Sequence, residues 1–382
     1  MNVLIVRLGA LGDLVHTIPA AAALRAAMPD ARIDWVVEAK HRELVDLVTV
    51  VDRVVPLEGR TLAAWTAAVR TLRAGAYDAA LDFQGLMKSA VLARASGARR
   101  VAGFSIWHLR EKSARPFYSE TGNAQEPETH IIRRNLSLLR VLGVDTGRVD
   151  FPIAPTTSAA LQQVRRAAGS GGFALINPGA AWPNKRWPPD RFAELAAFLG
   201  EVRGVPSVVL WGPGEQELAR EIVSRASGAA IEAPPTGVAD ILALAREASL
   251  MVGGDTGPLH LAAAVGTPIV SIMGPTNPAR NGPWGTDDVV ISRFESCGCH
   301  YDRRCHAKRW CLDSISVSEV AAAVQRRGSD FTRIDTDHRG SGLRGAYHHG
   351  SGLTGTDADQ RRTADHQDGD ARTDRDPGAK NE

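Results

Sequence analysis

A chain of 382 residues, 44% hydrophobic and 23% charged, has ordinary globular composition and enough length for two domains with separate cores. Lys and Arg total 45 against 43 Asp and Glu, so the formal charge of +2 supplies no global field to draw nucleic acid or an anionic bilayer, and no nucleic-acid partner is expected. Charges interrupt every apolar stretch, including LVDLVTVVDRVV, short of the roughly 20 residues a spanning helix needs, so any membrane contact is expected to be peripheral. The opening MNVLIVRLGALGDLV reads as a strand broken by glycines and lacks the longer apolar block of a secretory signal, so a cytoplasmic location is expected.

In chain order, apolar runs of strand length alternate with helical patterns. NVLIVRL leads to a helix through HTIPAAAALRAAMP, RIDWVVE to a helix through HRELVDLVTV, DRVVPL to a helix near 61–74, and YDAALDFQ to the helix GLMKSAVLARASG. That rhythm predicts βαβ units on a parallel sheet. The stretch 104–128 loses the periodicity and reads as a functional loop. A helix near 128–142 precedes GVDTGRVDFPIAPTTS, whose turn residues suit a linker, with the boundary near Pro155.

The rhythm then restarts with FALINPG, SVVLWG, SLMVGGD and PIVSIMG as strands and DRFAELAAFLGEV, EQELAREIVSRA, GVADILALAREA and HLAAAVG as helices. SVSEVAAAVQRR is the last folded element, and in a two-lobed molecule it could pack back across the cleft. The expected organisation is α/β, two Rossmann-like doubly wound domains at 1–155 and 156–328, with 329–382 a disordered tail poor in large apolar residues.

Two glycine-rich turns carry the chemistry. The first, after NVLIVRL, reads Gly9, Ala10, Leu11, Gly12, Asp13, at the carboxyl edge where open α/β sheets bind ligands. It lacks the middle glycine of a dinucleotide fingerprint, which weakens an oxidoreductase reading. Asp13 either takes the proton of an acceptor hydroxyl or caps the following helix. The second, SLMVGGDTGPLHLAAAVGTP, sets Asp255, Thr256 and Gly257 before a helix with Pro258 in its first turn, a ready phosphate site. His260, one turn on, either lines that site or is a structural histidine.

Between them, Lys185 in INPGAAWPNKRWPPDRF is placed to neutralise a diphosphate leaving group, unless the loop is merely solvated. Glu215, after VVLWG, is placed either to accept ribose hydroxyls or to cap the next helix. Asp-x-Asp triplets fall only in the tail (Asp335 with Asp337, Asp357 with Asp359, Asp374 with Asp376), so no metal site and no cofactor are expected. Cys297, Cys299, Cys305 and Cys311 could hold structural zinc or form a redox link, but the first spacing is Cys-x-Cys and a reduced loop is favoured.

The segments GALGDLVHTIPA, IDWVVE, YDAALDFQGLMKSA, REKSARPFY, PNKRWP and GGDTGPLHLAAAVGTP, in this order across 1–327, resemble glycosyltransferase family 9, the lipopolysaccharide heptosyltransferases. The first-domain motifs look closest to the heptosyltransferase I branch, while the cysteine-rich loop is more similar to heptosyltransferase II. The resemblance implies the GT-B architecture, with the two domains facing a central cleft, and inverting, metal-free transfer from ADP-heptose to a Kdo-bearing lipid A at the inner membrane. It implies Asp13 as general base, Lys185 as a contact to donor phosphate or sugar, and Glu215 on the ribose. It assigns Asp255 to the sugar hydroxyls, Thr256 with Gly257 to the diphosphate, and His260 to the same pocket. Lys88, Arg110, Lys112 and Arg115 lie where the family binds its anionic acceptor. The chain departs from the pattern at Ala180 and Ala181, where heptosyltransferase I carries two threonines near the donor phosphates. A nucleotide-sugar epimerase of similar architecture is the rival enzyme class, and a non-catalytic sugar-nucleotide binder a further one.

Overall fold

The structure, a computed structural model, describes residues 1–122, 130–305 and 307–327. The tail expected at 329–382, with its Asp-x-Asp triplets, lies outside those residues. Strand β1 (Asn2–Val6) leads through α1 (Leu11–Val15) and α2 (Ile18–Ala27) to β2 (Arg32–Glu38), α3 (Arg42–Asp46), β3 (Arg53–Leu57) and α4 (Leu62–Arg73). Then come β4 (Ala79–Asp82), α5 (Met87–Ala95), β5 (Arg100–Phe104), a 3-10 helix at Lys112–Phe117, β6 (Glu120–Gly122) and α6 (Ile131–Leu138). These strands form one parallel sheet in the order β3-β2-β1-β4-β5-β6. Val3 to Val6 are fully buried, as a central strand covered on both faces requires, which is why its sequence is an unbroken apolar run.

The second lobe repeats the plan. It contains α7 (Ala159–Ala168), β7 (Ala174–Asn177), α8 (Pro189–Arg203), β8 (Ser207–Val209), α9 (Gln216–Arg225), β9 (Ala230–Glu232) and α10 (Val238–Glu247). It continues with β10 (Leu250–Gly254), α11 (Gly257–Ala264), β11 (Ile269–Met273), α12 (Pro278–Asn281), β12 (Val289–Ser292) and α13 (Val317–Arg327). Its strands are parallel in the order β12-β11-β10-β7-β8-β9.

The structure corrects three sequence expectations. Strands β5, β6, β9 and β12 and helix α7 complete the lobes where no periodic signal is legible, and β6 with the 3-10 helix occupies part of the stretch expected to be loop. Helix α13 does not reach back across the cleft: it packs on β11, β12 and α8 of its own lobe, with Arg327 paired to Asp288 at 3.1 Å. Its apolar face, Val320, Ala323 and Val324, is satisfied within the second core. Among the described residues no helix is long and apolar enough to cross a membrane.

The lobes touch through side chains as well as helices. Glu43 of α3 accepts the backbone N–H groups of Val238 (3.2 Å) and Ala239 (2.9 Å), capping α10 of the other lobe. At the sheet edge remote from the glycine-rich turns, Tyr77 donates to the fully buried Asp34 carboxylate at 2.6 Å, and Arg32 grips both oxygens of the same group. Removing that hydroxyl strips a buried carboxylate of a donor. Tyr77→Phe is therefore expected to lower the unfolding free energy by about 1–3 kcal/mol, read as a lower urea midpoint with unchanged slope.

Candidate active site

In each sheet the chain order reverses between the first strand and the fourth, β1 beside β4 and β7 beside β10. Crevices open beyond the carboxyl ends of strands at such reversals. The turn after β1 holds Asp13, and the turn after β4 supplies Gln84, whose Oε1 accepts from Leu8 N at 2.7 Å. Asp82, ending β4 and fully buried, accepts from Gln84 N, Ser89 Oγ and Tyr118 Oη, tying α5 and the segment before β6 to the floor of the crevice. Burial raises its pKa in spite of those donors.

Asp13 is the third residue of α1 and its side chain is one-third exposed. Its Oδ2 pairs with Arg7 and lies 3.4 Å from Ala10 N, so the capping role is present but weak. Arg7, the residue after β1, is buried, and its other arm donates to Phe83 O beside it. The sequence reading missed Arg7. A charged residue closing a fully apolar strand was the available signal.

Across the cleft, Lys185 Nζ pairs with Asp255 Oδ2 at 2.6 Å, and His260 Nε2 donates to Asp255 Oδ1 at 2.9 Å. Burial pushes the Asp255 carboxyl up, but the hydrogen bond from His260 and the charge of Lys185 outweigh it and hold the group below the usual carboxylate range. Thr256 precedes α11 without capping it through its side chain; its hydroxyl donates to Gly254 O and accepts from Asn177 Nδ2 at 3.0 Å. Asn177, at the end of β7, is a second residue the sequence reading missed. Glu215 does not cap α9 through its side chain; its carboxylate accepts from Gly212 N at 3.1 Å, pairs with Arg186, and occupies the space a side chain on Gly179 would need.

The two halves meet where α1 packs on α11. A Cβ on Gly12 would lie 2.7 Å from His260 Cδ2, and one on Gly257 would lie 2.7 Å from Leu11 Cδ2. Only glycine allows this approach. His16 stands edge-on to His260 with centroids 4.3 Å apart and to His130 at 5.8 Å, and His130 Nε2 donates to Gly282 O at 3.0 Å. Burial, then repulsion from His260 and His130, holds His16 well below the usual imidazole range, and burial brings His130 down to about 4.

Of the residues expected to meet an acceptor, Lys88 pairs with Glu38 at 2.9 Å and Glu38 lies against Gly9, so this cation borders the Asp13 turn. Arg110 and Lys112 are exposed on the segment after β5, and Arg115 donates to Tyr118 O within the 3-10 helix that packs on α5. Lys88 stands on α5 and the other three on the segment after β5. The four cysteines are free thiols in two pairs, Cys299 with Cys305 at 2.9 Å and Cys297 with Cys311, and burial lifts Cys311 to about 12. Among the described residues no three His, Cys, Asp or Glu side chains group as a metal site.

Two doubly wound lobes presenting their switch points to one cleft are the GT-B arrangement of glycosyltransferases. The sequence model of glycosyltransferase family 9 (heptosyltransferase) matches residues 65–311, and the chain belongs to that family. Lipopolysaccharide heptosyltransferase 1 of Pseudomonas aeruginosa is 31% identical over 321 residues, 80% of this chain and 87% of that protein. The Escherichia coli protein of the same name is 30% identical over 307 residues, 76% of this chain and 93% of its own length. Among solved structures, E. coli heptosyltransferase WaaC with ADP aligns at a TM-score of 0.67 and 25% identity over 86% of this chain and 98% of that one. WaaC has also been solved with ADP-2-deoxy-2-fluoro heptose, aligning at a TM-score of 0.67 and 25% identity over 85% of this chain and 99% of that one.

The buried imidazoles make the lobe contact acid-sensitive. His130 stays neutral in the folded protein down to about pH 4, whereas in the unfolded chain it takes up a proton near 6.5. Stability is therefore expected to fall as pH drops from 6.5 toward 4, by on the order of 3 kcal/mol from His130 alone. Asp255, with its pKa lowered, contributes stability that is present above the ordinary carboxylate range and lost below it. Urea unfolding across pH should give a shallower dependence above pH 4 for His130→Gln and below the carboxylate range for Asp255→Asn.

Proposed function

We propose that this glycosyltransferase moves heptose from ADP-heptose to the Kdo-lipid A inner core by a single inverting displacement, at the cytoplasmic face of the inner membrane. The observation that carries the reading is the packing of α1 on α11, which sets the Asp13 turn directly against the helix whose N-terminus would grip the outgoing diphosphate. The ADP complexes of WaaC support the choice of nucleotide. Residues 1–155 would hold the acceptor, with Lys88, Arg110, Lys112 and Arg115 facing its anionic groups, and 156–328 the donor.

In this reading Asp13 takes the acceptor proton as its oxygen attacks the anomeric carbon from the face opposite the diphosphate. Both contacts to Asp13 fall on Oδ2, so among the described residues Oδ1 is free of hydrogen bonds and is the oxygen assigned to the proton. Arg7 positions that carboxylate. Lys185 and the amide end of α11, with Thr256 and Gly257, meet the charge that develops on ADP, so the chain's own groups serve where other transferases use a metal ion. Asp255 already receives Lys185 and His260, one on each oxygen, and presents its remaining lone pairs to sugar hydroxyls. Glu215, in the turn between β8 and α9, is assigned to the ribose.

The test is incubation with ADP-heptose and a panel of other nucleotide sugars, with Kdo-lipid A as acceptor and mass analysis of both products. A new glycoside is expected only with ADP-heptose, and an epimerised donor without glycoside would sink the reading. Asp13→Ala should lower kcat by about 10²–10⁴-fold with the fold intact, and normal turnover in that variant would remove the base assignment. For Arg7→Gln, kcat is expected to fall about tenfold with donor KM little changed; a loss confined to KM would refute positioning of the base.

A further inference from the structure

The segment between β5 and the 3-10 helix is fixed at one end and bare at the other. Leu109 is buried against Gly85, Glu111 N donates to Gly85 O at 3.1 Å, and the Glu111 carboxylate caps α5 at Met87 N at 2.7 Å. A tight turn, His108 N to Ser105 O at 2.9 Å, then throws Ile106 and Trp107 outward. Trp107 is 82% exposed and Ile106 40%, among the few large apolar side chains left in water. Nothing in the packing requires this, since the turn is held by residues on either side of its tip.

Cations surround that tip. Arg110 and Lys112 are exposed, and the Lys112 ammonium lies 5.9 Å from the centre of the Trp107 ring. The nearest carboxylate in sequence, Glu111, is exposed too but is engaged in capping α5 at Met87 N. An indole beside an isoleucine, with a lysine against the ring and an exposed arginine three residues on, has the chemistry of a membrane-interface anchor: the ring sits at headgroup depth while the cations meet anionic phosphates. A soluble sugar nucleotide would need neither the isoleucine nor so exposed a tryptophan.

We infer that the 105–112 turn docks this lobe on an anionic phospholipid bilayer, Ile106 and Trp107 entering the interface and Arg110 and Lys112 pairing with lipid phosphates. The docking deepens the reading of a lipid-borne acceptor, on which its purpose rests, and it opens the acceptor edge of the first sheet toward the bilayer. Its binding step, however, involves neither donor nor acceptor.

Co-sedimentation of the full chain with vesicles of phosphatidylglycerol and phosphatidylethanolamine, without substrates, tests it separately from transfer. Binding is expected to these vesicles and not to phosphatidylcholine alone, and to weaken as salt rises. Trp107→Ser should reduce the partition coefficient about tenfold, and a Lys112→Glu variant should remove most of the preference for anionic lipid, with circular dichroism and thermal midpoint unchanged in both. Equal binding to both vesicle types, no binding at all, or full retention by Trp107→Ser would overturn the proposal. So would a dimer in solution that Trp107→Ser splits, which would make the tip a contact between copies. Vesicle binding without sugar transfer would leave the docking standing and remove the proposed reaction instead.

Discussion

The close approach of α1 to α11 is the constraint on which the rest of the molecule turns. Each helix brings a glycine to the contact, Gly12 against the His260 ring and Gly257 against Leu11, and at both points a methyl group would sit 2.7 Å from its neighbour. Backbones that close cannot be parted by a side chain without moving two packed lobes, because interiors at crystal-like density do not yield by fractions. The two switch points, each built to open a crevice, therefore open into one. The geometry is fixed by what is missing from two residues.

The charges follow from that closeness. Each lobe satisfies its own, Arg7 with Asp13 on one side and Lys185 with Asp255 on the other, and neither pair crosses the cleft. Such partly buried pairs add little net stability, since desolvation offsets most of the attraction, so their value lies in orientation. Apart from the Glu43 carboxylate that caps α10, the groups that bridge the lobes beside α1 and α11 are imidazoles that burial keeps neutral, an indole, and backbone carbonyls. A cleft that must admit an anionic nucleotide sugar is better bridged by neutral groups than by salt links the ligand would have to break.

Much of this was legible in the chain because it is local. The buried run of β1, the glycine turns, Pro258 in the first turn of α11 and the alternation of strands with helices each report within a few residues, and the α/β class and both turns follow from them. What escaped reading is short or long-range. Strands β6 and β9 have three residues each and no room for a period, and β5, RVAGF, carries a glycine where Tyr118 packs. Arg7 meets Asp13 within one turn of chain, but its anchor is Phe83 O, and Asn177 meets Thr256 across 79 residues. Local chemistry could not choose between cap and base for Asp13, and the structure gives it a weak cap contact together with an arginine partner. His260, where a structural role and a pocket role competed, proves to be both buried and bonded to Asp255.

Ala180 and Ala181 stand where the resemblance leads one to expect two threonines, yet the same turn is not left without a hydrogen-bond donor. Ala180 is buried and its carbonyl accepts from Arg186 Nε at 2.9 Å, while the other arm of Arg186 reaches Glu215 at 3.2 Å. The guanidinium is thereby held between the Ala180 carbonyl and Glu215, with part of its fork still exposed. A charged donor fixed from two directions is worth more to a phosphate oxygen than a neutral hydroxyl. If the donor phosphates bind here as proposed, the turn would meet them with a guanidinium held by two partners in place of hydroxyls.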